Sequence, residues 1–353
     1  MKSILPLFAF TLSLLTSQAA LVSPSDPALR YIGRFDTTDT AGPRCTWSAS
    51  SVTFIVSGGS ASVKLKDNGK NLWQVVVNGE PTSVLKLEAG EHTYPLATDL
   101  PVGKHRIELV KRTEANLGAT QILGFETSDG TQLLPSSARP RRIEVIGDSI
   151  TCGYGNEAPN KEAKFTPETE NAWLTYGAVA ARTVNADYVS IAWSGKKLWP
   201  DNSIVDLYDR VAPNASGSAK WDFSQWTPDV VVINLGTNDF NAKANPEEAG
   251  WVAAYLEFIG EIRARYPKAV IYCAVGPMIS NWPGDRKPRE TILGYFSKII
   301  PQANAAGDPP VRLLDFGVQA QHHGIGAQWH PSVKTHSLMA DKLVAALKSD
   351  LGW

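Results

Sequence analysis

The chain has 353 residues, with 34 basic against 35 acidic side chains and a formal net charge of −1. That length exceeds one typical domain and predicts two. The near balance of charge, with no basic cluster, argues against nucleic acid or an anionic membrane surface as partners and suits a neutral ligand such as a polysaccharide.

Residues 1–20 read as a secretory signal: Lys2 supplies the positive start, Ile4 to Leu15 an apolar core, and Ser17-Gln18-Ala19 small residues for cleavage. The apolar run is too short to span a bilayer, and no later segment is long and apolar enough to do so. The protein is therefore expected outside the cytoplasm, extracellular or periplasmic, as a monomer with no membrane contact.

Residues 21–134 read as an all-β sandwich of jelly-roll type. Short strands are predicted at Val52–Val56, Ser62–Lys66, Trp73–Val77, Val84–Leu87, His105–Val110 and Gln121–Phe125. Turn signals separate them, at Ser57-Gly58-Gly59, Asp67-Asn68-Gly69 and Asn78-Gly79. Asn-Gly is a strong hairpin signal because both residues tolerate positive φ. Residues 135–141, carrying Pro135 and Pro140, read as a linker.

From residue 142 to 353 strand and helix alternate, which predicts a parallel sheet flanked by helices in three α/β/α layers. Strands are expected at Ile143–Ile146, Tyr188–Ala192, Val230–Leu235, Val270–Val275 and Val311–Phe316. Helices are expected near Asn171–Thr183, Pro246–Tyr266, Glu290–Gln302 and Pro331–Leu347. Cys45, Cys152 and Cys273 are an odd number without metal-ligand spacing. Free buried thiols are the expectation, with a Cys152–Cys273 pair the lesser alternative.

Three segments of this region carry chemistry. Ile143 to Ile146 is an apolar run ending in Gly147-Asp148-Ser149, which places a hydroxyl at the carboxyl end of a parallel strand, where ligands bind in open α/β sheets. Val230 to Ile233 leads into Asn234-Leu235-Gly236-Thr237-Asn238-Asp239, and Val189 to Ala192 leads into Trp193-Ser194-Gly195. Near the C-terminus stands His330-Pro331-Ser332, at the entry to a helix.

A serine hydroxyl needs a base within hydrogen-bond reach to act as a nucleophile. Of the six histidines, His92 and His105 fall in the β region, His322 and His323 in a Gly-rich stretch, and His336 inside the last helix. His330, held by a following proline, has the best case as the base for Ser149. The Ser149 and Gly195 main-chain N–H groups and the Asn238 amide are the candidate oxyanion donors. No metal or cofactor is called for.

Ser149, Gly195, Asn238 and His330, in that order, resemble the four blocks of the SGNH (GDSL) hydrolase superfamily. The strings Gly147–Asn156, Asn234–Phe240 and Trp329–His336 resemble carbohydrate esterase family 2. That resemblance implies a β-sandwich ahead of the hydrolase domain, and deacetylation of xylo-, manno- or gluco-configured plant polysaccharides. It also implies a sugar-stacking role for Trp329, with Trp199 a second candidate.

One departure stands out: members often carry an acid two residues before the histidine, and here that place is Gln328. A glutamine carbonyl or a main-chain carbonyl is left to orient His330, with Asp315 as an outside candidate. Two alternatives accompany this reading: a lipase or thioesterase on the same fold, and a non-catalytic polysaccharide-binding protein, motivated by the missing acid.

Overall fold

A computed structural model describes residues 20–353 apart from 216, 242, 306 and 308. The expected export signal falls on residues 1–20 and lies outside the described residues, except that Ala20 opens the first strand. Among the described residues no helix is long and apolar enough to cross a membrane.

The N-terminal part is built from β1 (Ala20–Val22), β2 (Arg30–Ile32), β3 (Phe35–Asp36), β4 (Arg44–Cys45), β5 (Ser51–Val56) and β6 (Gly59–Asn68). It continues through β7 (Leu72–Val77), β8 (Glu80–Lys86), β9 (Ala89–Leu100), β10 (His105–Lys111), β11 (Thr120–Thr127) and β12 (Leu133–Leu134). One antiparallel sheet has the order β3-β4-β11-β6-β9, with β1 also on β11; the other runs β12-β5-β10-β7-β8, with β2 also on β5. The chain is thus wound as one long hairpin, pairing β4 with β11, β5 with β10, β6 with β9 and β7 with β8. Its tip is the Asn78-Gly79 turn, where both residues have positive φ (55° and 91°). Phe54, Trp73, Val75 and Leu109 of one sheet and Val63, Leu65, Ile122 and Phe125 of the other share one buried core.

Two differences from expectation have physical causes. β9 is a twelve-residue strand that the sequence does not announce: it contains Gly90 and Pro95 and is mostly exposed. It lies at a sheet edge, where a proline costs no ladder hydrogen bond and hydrophobic alternation is weak. The very short β1 to β4 and β12 carry too few residues for any period to register.

The second region holds β13 (Arg141–Gly147), β14 (Ala186–Ala192), β15 (Val230–Asn234), β16 (Val270–Val275) and β17 (Val311–Asp315). They form one parallel sheet in the order β14-β13-β15-β16-β17. Among the described residues six α-helices accompany it: α1 (Ser149–Cys152), α2 (Tyr176–Thr183), α3 (Thr237–Phe240), α4 (Glu248–Arg265), α5 (Pro288–Ala305) and α6 (Val333–Leu351). Ile146, Ile191, Val231, Ile233 and Ile271 face α4 and α5, while Ile143, Val145, Val232 and Tyr272 face α2 and α6. Burial on both faces is why β15 and β16 read as unbroken apolar runs, whereas β17, at the sheet edge, is largely exposed. The three cysteines are free and buried.

The two regions are clamped together. Ile32 and Trp47 of the sandwich enter the core on the α4/α5 side. Arg30 pairs with Asp187, Arg112 with Glu157, and Arg34 with the buried Glu144 of β13.

Candidate active site

The strand order reverses direction between β13 and β15, the switch point where open α/β sheets hold their ligands. Loops from all five parallel strands meet at this edge. Ser149 follows β13, Gly195 follows β14, Asn238 follows β15, Trp282 follows β16, and His330 lies beyond β17.

Ser149 is the first residue of α1. Asp148 caps that helix, its carboxylate accepting the Ile150 N–H at 3.0 Å. The Ser149 N–H, at a helix N-terminus, has no intrahelical acceptor and is available to a ligand. His330 Nε2 stands 2.8 Å from Ser149 Oγ. Its Nδ1 stands 3.0 Å from the carbonyl oxygen of Ala327, which accepts the ring proton and fixes the tautomer with hydrogen on Nδ1. Burial pushes the His330 pKa below the ordinary value, and the neighbouring main-chain carbonyls offset this only in part.

The segment before His330 makes a tight loop. Gln328 and Trp329 take left-handed φ values of 50° and 68°. Gly326 N–H donates to the His330 carbonyl at 2.8 Å, and Ala327 N–H to the Gly155 carbonyl at 3.0 Å. Gln328 is turned away from the imidazole: its Oε1 accepts from the Tyr154 hydroxyl at 2.6 Å. Asp315 also lies elsewhere, pairing with Arg289 and accepting the Gly317 N–H. Of the possible orienting groups, the acceptor at Nδ1 is thus a main-chain carbonyl.

The oxyanion candidates share a turn. Lys196 N–H donates to the Trp193 carbonyl at 3.2 Å, and Gly195 at the third position has φ of 79°, the pattern of a type II turn. A Cβ on Gly195 would meet nothing within 4 Å, so its main chain faces open space. Asn238 uses one amide hydrogen on the Lys196 carbonyl at 2.8 Å; the other faces Asp148 at 3.4 Å, long for a hydrogen bond. Burial pushes the Asp148 pKa up to about 7.

Trp329 is 51% exposed, with the Lys161 ammonium 4.1 Å from its ring centroid. Trp199 is half-buried, its ring lying against Gly250 of α4 and joining the core there. The remaining histidines have other places. His336 is fully buried and accepts the Tyr176 N–H through Nδ1 at 3.3 Å. His322 and His323 meet edge to face in a surface turn.

Two residues with no role in the sequence reading stand out. Tyr154 packs its ring 4.4 Å from that of His330; the only signal was an aromatic side chain between Gly153 and Gly155. Trp282 is 83% exposed on the loop after β16. A Trp-Pro pair in a polar loop was its signal.

Fold and site together define an esterase with a GDSL-like hydrolase domain. Residues 145–338 match the GDSL-like Lipase/Acylhydrolase family, and residues 31–136 match the Carbohydrate esterase 2 N-terminal family. The chain belongs to carbohydrate esterase family 2. It is 42% identical, over 93% of its length, to the Cellulase/esterase CelE of Acetivibrio thermocellus, and spans 40% of that protein. It is 30% identical to an Acetylxylan esterase / glucomannan deacetylase of Cellvibrio japonicus, covering 87% of this chain and 86% of that one. Among solved structures, a family two carbohydrate esterase from Clostridium thermocellum in complex with cellohexaose superposes with a TM-score of 0.86 at 42% identity. The match covers 92% of this chain and 99% of the other.

Proposed function

We propose that the chain is a secreted carbohydrate O-deacetylase that hydrolyses acetyl esters on plant polysaccharides such as xylan and glucomannan, with a Ser149–His330 dyad and no metal. The 2.8 Å Ser149–His330 hydrogen bond carries the reading, and the activities named for the relatives support the substrate class.

Neutral His330 takes the Ser149 proton on Nε2 as Oγ attacks the acetyl carbonyl. The resulting oxyanion is met by the Ser149 and Gly195 N–H groups and by the second amide hydrogen of Asn238. The imidazolium returns its proton to the sugar oxygen, which leaves as an alcohol and gives acetyl-Ser149. Water, deprotonated by the same Nε2, then releases acetate and restores Ser149. The Ala327 carbonyl supports the imidazolium by accepting its Nδ1 proton, without supplying a full charge.

Trp329 and Trp282 offer exposed indole faces for pyranose rings; Trp199, with one side taken up by α4, offers less. The proposed division is an export signal over 1–20, the sandwich over 21–134, a linker over 135–141 and the hydrolase domain over 142–353, with the boundary residues Ala20 and Arg141 already in β1 and β13. The paired arms of the long hairpin support a jelly roll. We assign a monomer.

Wild type and Ser149→Ala should be assayed on acetyl and long-chain p-nitrophenyl esters and on acetylated xylan and glucomannan. Acetate release by wild type alone is expected. A preference for the long-chain ester would move the reading to a lipase, and activity surviving in the variant would remove Ser149 from the mechanism.

A further inference from the structure

We propose that Glu114, a residue of the sandwich, is the positioning residue of the oxyanion-binding turn, so that the N-terminal domain is a working part of the active site. This rests on the ester-hydrolysis reading above.

Glu114 follows β10 and caps a short 3-10 turn at Ala115–Leu117, yet it is completely buried and reaches across the domain boundary. Its Oε2 accepts the Ser194 N–H at 2.8 Å. The same oxygen lies 3.7 Å from the Cys152 thiol, which donates to it from the last residue of α1, the helix that Ser149 opens. One carboxyl oxygen therefore ties the nucleophile helix to the turn that bears Gly195.

That turn is bistable in principle. Type I and type II turns differ by a flip of their central peptide, which here is the Ser194–Gly195 peptide and carries the Gly195 N–H. A flip would swing the donor away from the oxyanion. Holding the Ser194 N–H anchors the turn one residue upstream of the flip. Asn238 depends on the same turn through the Lys196 carbonyl, so two of the three donors rest on Glu114.

Glu114 is itself held from both sides. Its N–H donates to Glu170 of the hydrolase domain at 3.0 Å, and the Lys111 ammonium donates to its carbonyl at 3.2 Å. Burial pushes its carboxyl pKa up, against the opposing pull of the Ser194 and Cys152 hydrogen bonds and the Lys111 ammonium. What the turn uses is the acceptor oxygen that holds the Ser194 N–H. That predicts that Gln, neutral and of the same reach, can replace it, whereas Met keeps the bulk and loses the acceptor.

The full-length protein with E114Q or E114M is assayed for kcat and KM on p-nitrophenyl acetate, with N238A alone and combined with E114M. E114M should lose roughly 10- to 100-fold in kcat with KM nearly unchanged, short of or equal to the loss of a whole oxyanion donor. E114Q should retain most of the wild-type kcat. The E114M and N238A losses should combine to less than their product, as expected for residues serving one constellation.

Wild-type kcat in E114M overturns the proposal, and so does an equal loss in E114Q or full additivity with N238A. If E114M does not fold, E114D replaces it, one methylene too short to reach Ser194. Loss of a cooperative thermal transition in both makes Glu114 a stability residue and also overturns the proposal. A wild-type protein inert on acetyl esters would instead overturn the functional reading itself.

Discussion

His330 Nδ1 meets the carbonyl oxygen of Ala327 at 3.0 Å, so the ring is oriented by a main-chain dipole from three residues upstream. A carbonyl fixes the tautomer as a carboxylate would, but adds no formal charge to hold the imidazolium. The consequences for catalysis and for pH follow from that difference.

With no carboxylate at Nδ1 and with burial lowering its pKa, His330 stays neutral below the ordinary histidine value. The acid limb of kcat/KM is expected to have its midpoint below about 6.5. Gln328→Ala should cost about tenfold or less, against the ~10⁴ quoted for disabling a triad aspartate. Because the Gln328 side chain is exposed and bonded to Tyr154, Gln328→Asp should leave that midpoint in place. An upward shift of the limb in Gln328→Asp would show that residue 328 faces the imidazole in solution.

Gly155 has φ of 57°, and a Cβ there would lie 2.4 Å from the Ala327 Cβ. Gly155→Ala should therefore push away the segment whose carbonyl orients His330. The expected outcome is a fall in kcat of at least about tenfold, since misplacing a catalytic group by about 1 Å can cost ~10². Steady-state kinetics at unchanged ester-binding strength test this; a fully active variant would mean that the loop relaxes without moving the carbonyl.

Arg34 and Glu144 are both buried, 3.6 Å apart across the domain boundary. Glu144 also accepts from the Tyr208 hydroxyl at 2.8 Å, and Arg34 donates to the Tyr208 carbonyl. The two regions should unfold in a single transition. Arg34→Ala should cost about 3–5 kcal/mol, the usual result of leaving a buried charge without its partner. Calorimetry resolving two independent transitions, with Arg34→Ala shifting only one, would contradict the clamp.

His336 is buried, and its pKa is pushed down to about 3 by desolvation, with His330 adding to the effect. The folded pKa lies below the unfolded value of about 6.5, so this contribution to stability is complete above about pH 6.5. It is lost as pH falls toward about 3, to a total on the order of 5 kcal/mol. His336→Asn keeps an acceptor for the Tyr176 N–H without that titration. Its melting temperature should fall less than wild type between pH 6.5 and 4; parallel curves would show that His336 does not titrate with unfolding.

Much of the architecture was legible in the chain alone, for local reasons. Val230–Asn234 and Val270–Val275 are apolar throughout because a parallel strand is covered on both faces. Asn78-Gly79 announces its hairpin because positive φ is a property of those two residues. Ser149, Gly195 and Asn238 were legible because each ends a readable strand, and five parallel strands bring their carboxyl ends to one edge. What the tertiary structure alone decided are the partners. Ser149 and His330 are 181 residues apart, and Glu114 and Ser194 are 80 apart. Hydrophobic period reports which face of a segment is covered, but not which distant atom completes a polar group's hydrogen bond. The Ala327 carbonyl at Nδ1, the turning of Gln328 to Tyr154 and the seating of Trp199 on Gly250 follow from how loops close over the finished sheet.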